Sequence, residues 1–218
     1  MFSLLGRSVQ RISDRFSGFL LCLLILMIAD LASTFLLSGT AKDQISPELV
    51  VSAVLGLLLN LWVMTSWLMY AGVSESGDSI TFYLQHSLGK FSRVALFAFS
   101  VYAIILLGTA LFVIPGLIFA VVLYFWLPLV VFENRGLSDT CQRSIELVKK
   151  NLFLVLILIG FLDLPLLAME LGANLPKVES NLPLRIILSL VHSGLSLFSI
   201  LVLANVYFQV RTREVVSG

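Results

Sequence analysis

Charge is scarce in this sequence. Only 12% of its 218 residues are Asp, Glu, Lys or Arg, 59% are hydrophobic, and the mean hydropathy is +1.02. An ordinary soluble domain carries about twice that charged share, so the apolar surface of this chain requires lipid around it. A net charge of +1 excludes a broadly basic nucleic-acid binder. There are two cysteines, Cys22 in an apolar run and Cys141 in a polar connector. They belong to different compartments of a membrane threading, which supports neither a disulfide nor a metal site. Also missing are H-E-x-x-H, G-x-S-x-G, a glycine-rich phosphate loop and any metal-spaced Cys/His cluster. His192 and Ser193 are adjacent, about 100° apart on a helix, which is a poor geometry for a base and its nucleophile. The expectation is a protein that is not an enzyme and holds no cofactor.

Long apolar runs fill the chain instead, at 17–39, 48–73, 94–113, 115–132, 152–172 and 184–208. Each is long enough to cross a hydrocarbon core of about 30 Å. Arg7, Arg11 and Arg15 followed by "FLLCLLILM" have the outline of a signal peptide. The apolar stretch, however, continues to Leu37, and "ADLAS" lacks an A-x-A cleavage pattern, so a retained first span is expected. Residues 94–132 hold no charged side chain. As one helix they would measure roughly 58 Å, about two crossings, so the run must reverse. Pro115-Gly116 is the expected hinge, because proline suits the first turn of a new helix and glycine tolerates unusual dihedrals. A half-depth re-entrant pair is the alternative.

With the N-terminus inside, eleven Lys and Arg residues fall in inner connectors: Arg7, Arg11, Arg15, Lys90, Arg93, Arg135, Arg143, Lys149, Lys150, Arg211 and Arg213. Three fall outside, Lys42, Lys177 and Arg185. That asymmetry predicts cytoplasmic N- and C-termini. The fold class expected is all-α: a single integral-membrane domain over residues 1–218, six transmembrane helices arranged as three hairpins (1–73, 74–132 and 133–218), with cytoplasmic interfacial amphipathic helices. The inner flanks "GRSVQRISDRFSGFLLCLL", "QHSLGKFSRVALFAF" and "QRSIELVKKNLFLVLIL" share a basic-Ser-aliphatic-basic outline. Convergent positive-inside flanks explain this as well as a repeat does.

The third connector, "GLSDTCQRSIELVKKN", reads as an amphipathic helix with Ser138 as N-cap. Cys141, Ile145, Val148 and Leu152 fall on one face, with Arg143, Glu146, Lys149 and Lys150 away from it. Arg143, Lys149 and Lys150 are candidate contacts for anionic lipid headgroups. The plainer reading is a topology signal and structural elbow.

Around this connector the sequence resembles a known family. Residues 113–156, with Val-Ile-Pro-Gly at 113–116, Pro128 near the end of an apolar span, Glu133 and then Arg143-Ser144, are similar to the YciC-like bacterial inner-membrane proteins. More distantly they resemble the membrane domain attached to some glycerophosphodiester phosphodiesterases. The likeness covers about a fifth of the chain. It implies a helical multi-pass protein of the bacterial cytoplasmic (inner) membrane, and no phosphodiesterase domain accompanies it.

Ionisable groups at membrane depth are functional candidates by default. Counted at 1.5 Å per residue, Asp30 and Asp163 lie roughly 20 and 17 Å above the inner ends of their spans, and His192 about 12 Å below the outer end of its own. Glu170 falls near the outer interface. Asp30 shares a face with Ser33 and Thr34; Ser52, Gly56 and Asn60 align on span two; Gly160, Asp163 and Glu170 on span five; Ser189, His192, Ser193, Ser196 and Ser199 on span six. Such small and hydroxylated seams let membrane helices approach. The pattern predicts spans one, two, five and six around a polar interior containing Asp30, Asn60, Asp163 and His192, with the Pro115-Gly116 hairpin outside it. Two readings follow. One is a set of structural hydrogen bonds in a membrane component that meets lipids or a membrane-protein partner; the other is a relay or substrate site of a transporter or lipid-handling protein, with Pro165 loosening span five. Impermeant thiol labelling of Arg7→Cys and Lys150→Cys should reach both from one side of the membrane, and labelling from opposite sides would overturn the threading.

Overall fold

A computed structural model describes residues 2–38, 47–72, 79–173 and 182–217. Ten α-helices and one π-helical turn make up this described part: α1 (Phe2–Asp14), α2 (Phe16–Ser38), α3 (Pro47–Gly72), α4 (Ile80–Leu111), α5 (Val113–Val122), α6 (Trp126–Glu133), α7 (Leu137–Lys150), α8 (Leu152–Leu158), the π turn (Ile159–Asp163), α9 (Leu164–Ala173) and α10 (Leu182–Ser217). Five stretches are long and apolar enough to cross a membrane, and a sixth arises if α1 and α2, bent by 93° at Arg15, are taken together. α3 and α4 are single spans, α5–α6 and α8–π–α9 are interrupted ones, and α10 is the last.

The α4–α5 corner and the breaks in spans four and five each have a proline behind them. A continuous helix through Pro115 would drive its ring against the carbonyl of Leu111, four residues earlier. α4 accordingly ends at Leu111 and Phe112 is extended (φ −158°, ψ 140°). The corner thus lies at Phe112, three residues before the expected hinge, and Pro115 and Gly116 sit in the first turn of α5. No glycine among the described residues has a positive φ, so Gly116 is not there for its dihedrals. It is there for space: a Cβ on Gly116 would meet the backbone N and Cα of Thr109 at 2.7 and 2.8 Å, and one on Gly108 would meet Gly116 at 3.1 Å. α4 and α5 therefore touch backbone to backbone.

The seams expected on spans two and five are not close contacts. The closest helix approach occurs in spans three and four, where no stripe was read. In contrast, a Cβ on Gly56 or Gly160 would meet no atom within 4 Å. Small residues permit close approach only where a neighbour is positioned to use it, and periodicity does not report the neighbour.

The buried side chains concentrate at the end of the bundle that carries the basic residues. One cluster joins Cys22 and Leu26 of α2, Val63, Trp67 and Leu68 of α3, Val94 and Phe97 of α4, Leu127 and Val130 of α6, and Leu197 and Leu201 of α10. A second joins Phe125 and Leu129 to Leu147 and Val148 of α7, Val155 and Leu158 of α8, and Val202, Val206 and Tyr207 of α10. α6 takes part in both, so the second half of span four is central rather than peripheral. The far end of α4 and the start of α5 are largely open, with Gly108 and Gly116 buried against each other: Leu106, Phe112 and Ile114 are each at least 70% exposed.

Within lipid, apolar contact alone gives helices little reason to associate, and interhelical hydrogen bonds add about 0.6 kcal/mol each on average. This bundle uses several. Trp67 Nε1 donates to Leu197 O at 2.9 Å, Trp62 Nε1 to Leu84 O at 3.2 Å, and Ser66 and Ser87 share a bond of 2.7 Å. Basic residues cap the helices that end at this face. Arg11 donates to Ala71 O near the C-terminus of α3, and Lys90 to Val131 O near that of α6, both at 3.1 Å. Cations there meet the negative end of the helix dipole and orphan carbonyls.

Gly116→Leu should lower the thermal midpoint in detergent by an amount equivalent to about 1–3 kcal/mol through overpacking. Gly56→Ala should stay within about 0.5 kcal/mol of the parent, measured in the same melt.

Candidate functional site

Two interrupted spans meet at Asp163. In span five Pro165 cannot donate a backbone bond, and the chain responds with the π turn Ile159–Asp163, closed by Leu164 N–H bonding Ile159 O. Asp163 ends that turn, half-buried. In span four Pro128 leaves the carbonyl of Tyr124 without its helical donor, and the helix breaks at residues 123–125. Tyr124 lies in this break, and its hydroxyl donates to Asp163. From α10, Ser199 Oγ donates to Asp163 Oδ1 at 3.5 Å. Counting from the basic end, the three residues lie about 14–20 Å up, near the middle of a hydrocarbon core of about 30 Å.

The break in span four is held by α7. Tyr124 N–H turns back to Val121 O at 3.2 Å, which displaces the helical bond of Phe125. Ser144 of α7 fills the gap with one hydroxyl: it accepts from Phe125 N–H at 3.2 Å and donates to Val122 O at 2.9 Å. Tyr124 lies between these two clasped residues. α7 therefore presents a face different from the expected one. Its buried residues are Thr140, Ser144, Leu147 and Val148, packed on protein, while Cys141 and Ile145 are only half-buried. The local pattern identified an amphipathic helix, but a hydroxyl at Ser144 is worth more inside than an aliphatic side chain because a broken backbone needs it.

A second polar group lies at the basic end. Glu133, 8% exposed, pairs with Arg135 Nε at 2.6 Å and accepts from the Tyr207 hydroxyl at 2.6 Å. Arg143 and Arg211 lie within electrostatic reach of Tyr207. Arg143 also bonds Glu146 at 3.1 Å. Of the expected headgroup residues, Arg143 is thus turned into the protein, while Lys149 and Lys150 are exposed at the end of α7.

The expected interior site is only partly assembled. Asp163 gains a partner from span four, which periodicity had set aside, and its partner on span six is Ser199. His192 lies seven residues earlier on α10, about 10 Å along the axis, and is half-buried. Asn60 is half-buried on α3, just before the buried run that starts at Leu61. The side chains of Asp30 and Glu170 lie outside the described residues. The signal for Tyr124 and Ser144 was present as Pro128 and Arg143-Ser144, but pairing them requires knowing that α7 folds back onto span four. Among the described residues no group of three or more His, Cys, Asp or Glu could hold a metal ion. Asp163 with two hydroxyl partners can accept, hold and release a proton.

Compared with known proteins, the chain matches no family model, no curated protein and no solved structure. Its function has to be read from geometry.

Ser144→Ala should cost about 1–3 kcal/mol by orphaning the Phe125 N–H, and should loosen α7. Cys141 reports it. Burial pushes the Cys141 thiol up, so at a given pH less thiolate is present than on a free cysteine. Maleimide labelling should therefore be slow at neutral pH and climb through a higher pH window than for glutathione. Ser144→Ala should raise the rate and shift that window down; an unchanged profile would separate Ser144 from α7 docking.

Proposed function

We propose that this chain is a non-enzymatic, multi-spanning component of the bacterial cytoplasmic membrane that binds anionic lipid at the junction of α7 and span five. The observation that carries this reading is local. Lys149 and Lys150 are exposed at the end of α7, and Leu152 and Phe153, 48% and 79% exposed, follow after Asn151. Cations above outward-facing apolar side chains suit a phosphate headgroup with its acyl chains, and each basic residue near such a surface contributes about 1 kcal/mol. The likeness of residues 113–156 to the YciC-like proteins supports the same setting, with α7 and both termini on the cytoplasmic side. The exposed α4–α5 hairpin suits contact with acyl chains or a membrane-protein partner.

A second reading, a transporter or lipid-handling protein working through Asp163, is favoured by the meeting of two interrupted spans at one carboxylate. Broken helices lining polar sites near the midplane are a recurring transporter device. It predicts that Asp163→Asn abolishes solute or lipid movement in proteoliposomes while the protein remains folded.

Native mass spectrometry of the protein in mixed phosphatidylglycerol and phosphatidylethanolamine tests the first reading. The double variant Lys149→Gln, Lys150→Gln should retain phosphatidylglycerol at least tenfold less well, as two contributions of about 1 kcal/mol imply. Arg143→Gln should change retention far less, because Arg143 faces Glu146 and Tyr207. Equal retention by the double variant and the parent would refute the lipid site.

A further inference from the structure

We propose that the outer half of α10 forms a one-sided, water-filled track that leads protons to Asp163. The proposal rests on the second reading above, that Asp163 is a working site, and gives that site its ligand and its direction of access.

α10 has an inverted pattern over residues 184–199. Leu184, Ile186, Ile187, Leu190 and Val191 are exposed, whereas Ser189, Ser193, Ser196 and Ser199 are buried. The four serines follow i, i+4, i+7 and i+10 spacing, one face of a helix, and rise about 15 Å. His192, half-buried, falls on the same face. A helix in lipid that turns aliphatic side chains outward and hydroxyls inward is lining a polar interior. The last serine of the file, Ser199, is the one bonded to Asp163.

A file of serines can equally be a tight helix seam, so a second observation decides between them. Ser189 is 6% exposed, and its hydroxyl has no hydrogen-bond partner among the described residues. A buried hydroxyl without a protein partner is costly and is normally satisfied by water. α3 packs against α10, and its outer half carries Ser52, Gly56 and Asn60, all half-buried, with nothing within 4 Å of a Cβ placed on Gly56. Seams built for contact look different here: the one at Gly116 would bring a Cβ to 2.7 Å from backbone.

The track ends at Asp163. Beyond Ser199, Leu201, Val202, Ala204 and Val206 are buried, and fully buried Trp67 is bonded to Leu197 O. Toward the basic end the buried polar groups already bond protein: Asn205 donates to Ser8 at 2.8 Å, Ser66 and Ser87 share a bond of 2.7 Å, and Thr65 donates to Leu61 O at 2.7 Å, so the file of hydroxyls open to water runs from Ser189 to Asp163. The class of ligand is water carrying protons: hydroxyls and an imidazole can relay a proton along hydrogen bonds, and Asp163 can hold it.

Cysteine accessibility in the full-length protein tests this, with native Cys141 marking the basic face. In a Cys22→Ser background, Ser193→Cys and Ser196→Cys are exposed to trimethylammonium-ethyl methanethiosulfonate in membrane vesicles of both orientations. Both should react at least tenfold faster in the orientation in which Cys141 is shielded, and lipid-facing Leu190→Cys should not react in either. Silence of both positions from both sides, or reaction from the Cys141 side, overturns the track. Hydroxyl-radical footprinting of the unaltered protein keeps the question open to refutation if the variants misfold. His192 should oxidise several-fold faster than Leu197, and equal protection overturns a wet track. A wet track with normal solute movement in Asp163→Asn would leave the access route standing and remove the transport reading.

Discussion

In lipid no water is available to satisfy a backbone N–H or C=O, and each one left bare costs several kcal/mol. Three prolines inside the apolar spans of this chain remove helical donors, and much of the architecture is the set of answers to them. At Pro115 the helix ends and the chain reverses at Phe112. At Pro165 the ladder shifts to a π turn that keeps Leu164 bonded. At Pro128 local adjustment is insufficient, and Ser144 arrives from another helix to bond both Val122 and Phe125.

The third answer ties the surface of the membrane to its middle. α7 lies at the basic end of the bundle, yet its Ser144 clasps the turn that contains Tyr124, and Tyr124 bonds Asp163. A displacement of α7 by headgroups would be felt at the carboxylate through one hydroxyl and one turn of backbone. The proposed lipid site and the proposed polar site would then be two ends of one mechanical connection. Residues 113–156 span this connection from the α4–α5 corner through Pro128 and Glu133 to Ser144.

Basic residues show the same economy of purpose. Read along the chain, they are a topology signal. In the fold, Arg11 and Lys90 close the carbonyl ends of α3 and α6, and Arg135 neutralises Glu133 beneath Tyr207. Charge that orients the spans also satisfies the helix ends that collect on the same face, because alternate spans must terminate there. Lys149 and Lys150 are exposed at the end of α7, which is why they and not Arg143 carry the proposed headgroup site.

The sequence by itself determined the helical class, the apolar stretches, the need for a reversal between residues 94 and 132, and the amphipathic nature of α7, because composition and periodicity are properties of one segment at a time. It pointed to Asp163 for the same reason: a carboxylate inside an apolar run is visible without a neighbour. Tertiary structure alone decided the rest. Gly116 became the close contact and Gly56 did not, Ser144 turned inward, Tyr124 joined Asp163 while His192 stayed two turns away, and span four moved to the centre. Each of these depends on which backbone group or side chain lies opposite, and in lipid the opposing helix is chosen by hydrogen bonds and shape that no single segment encodes.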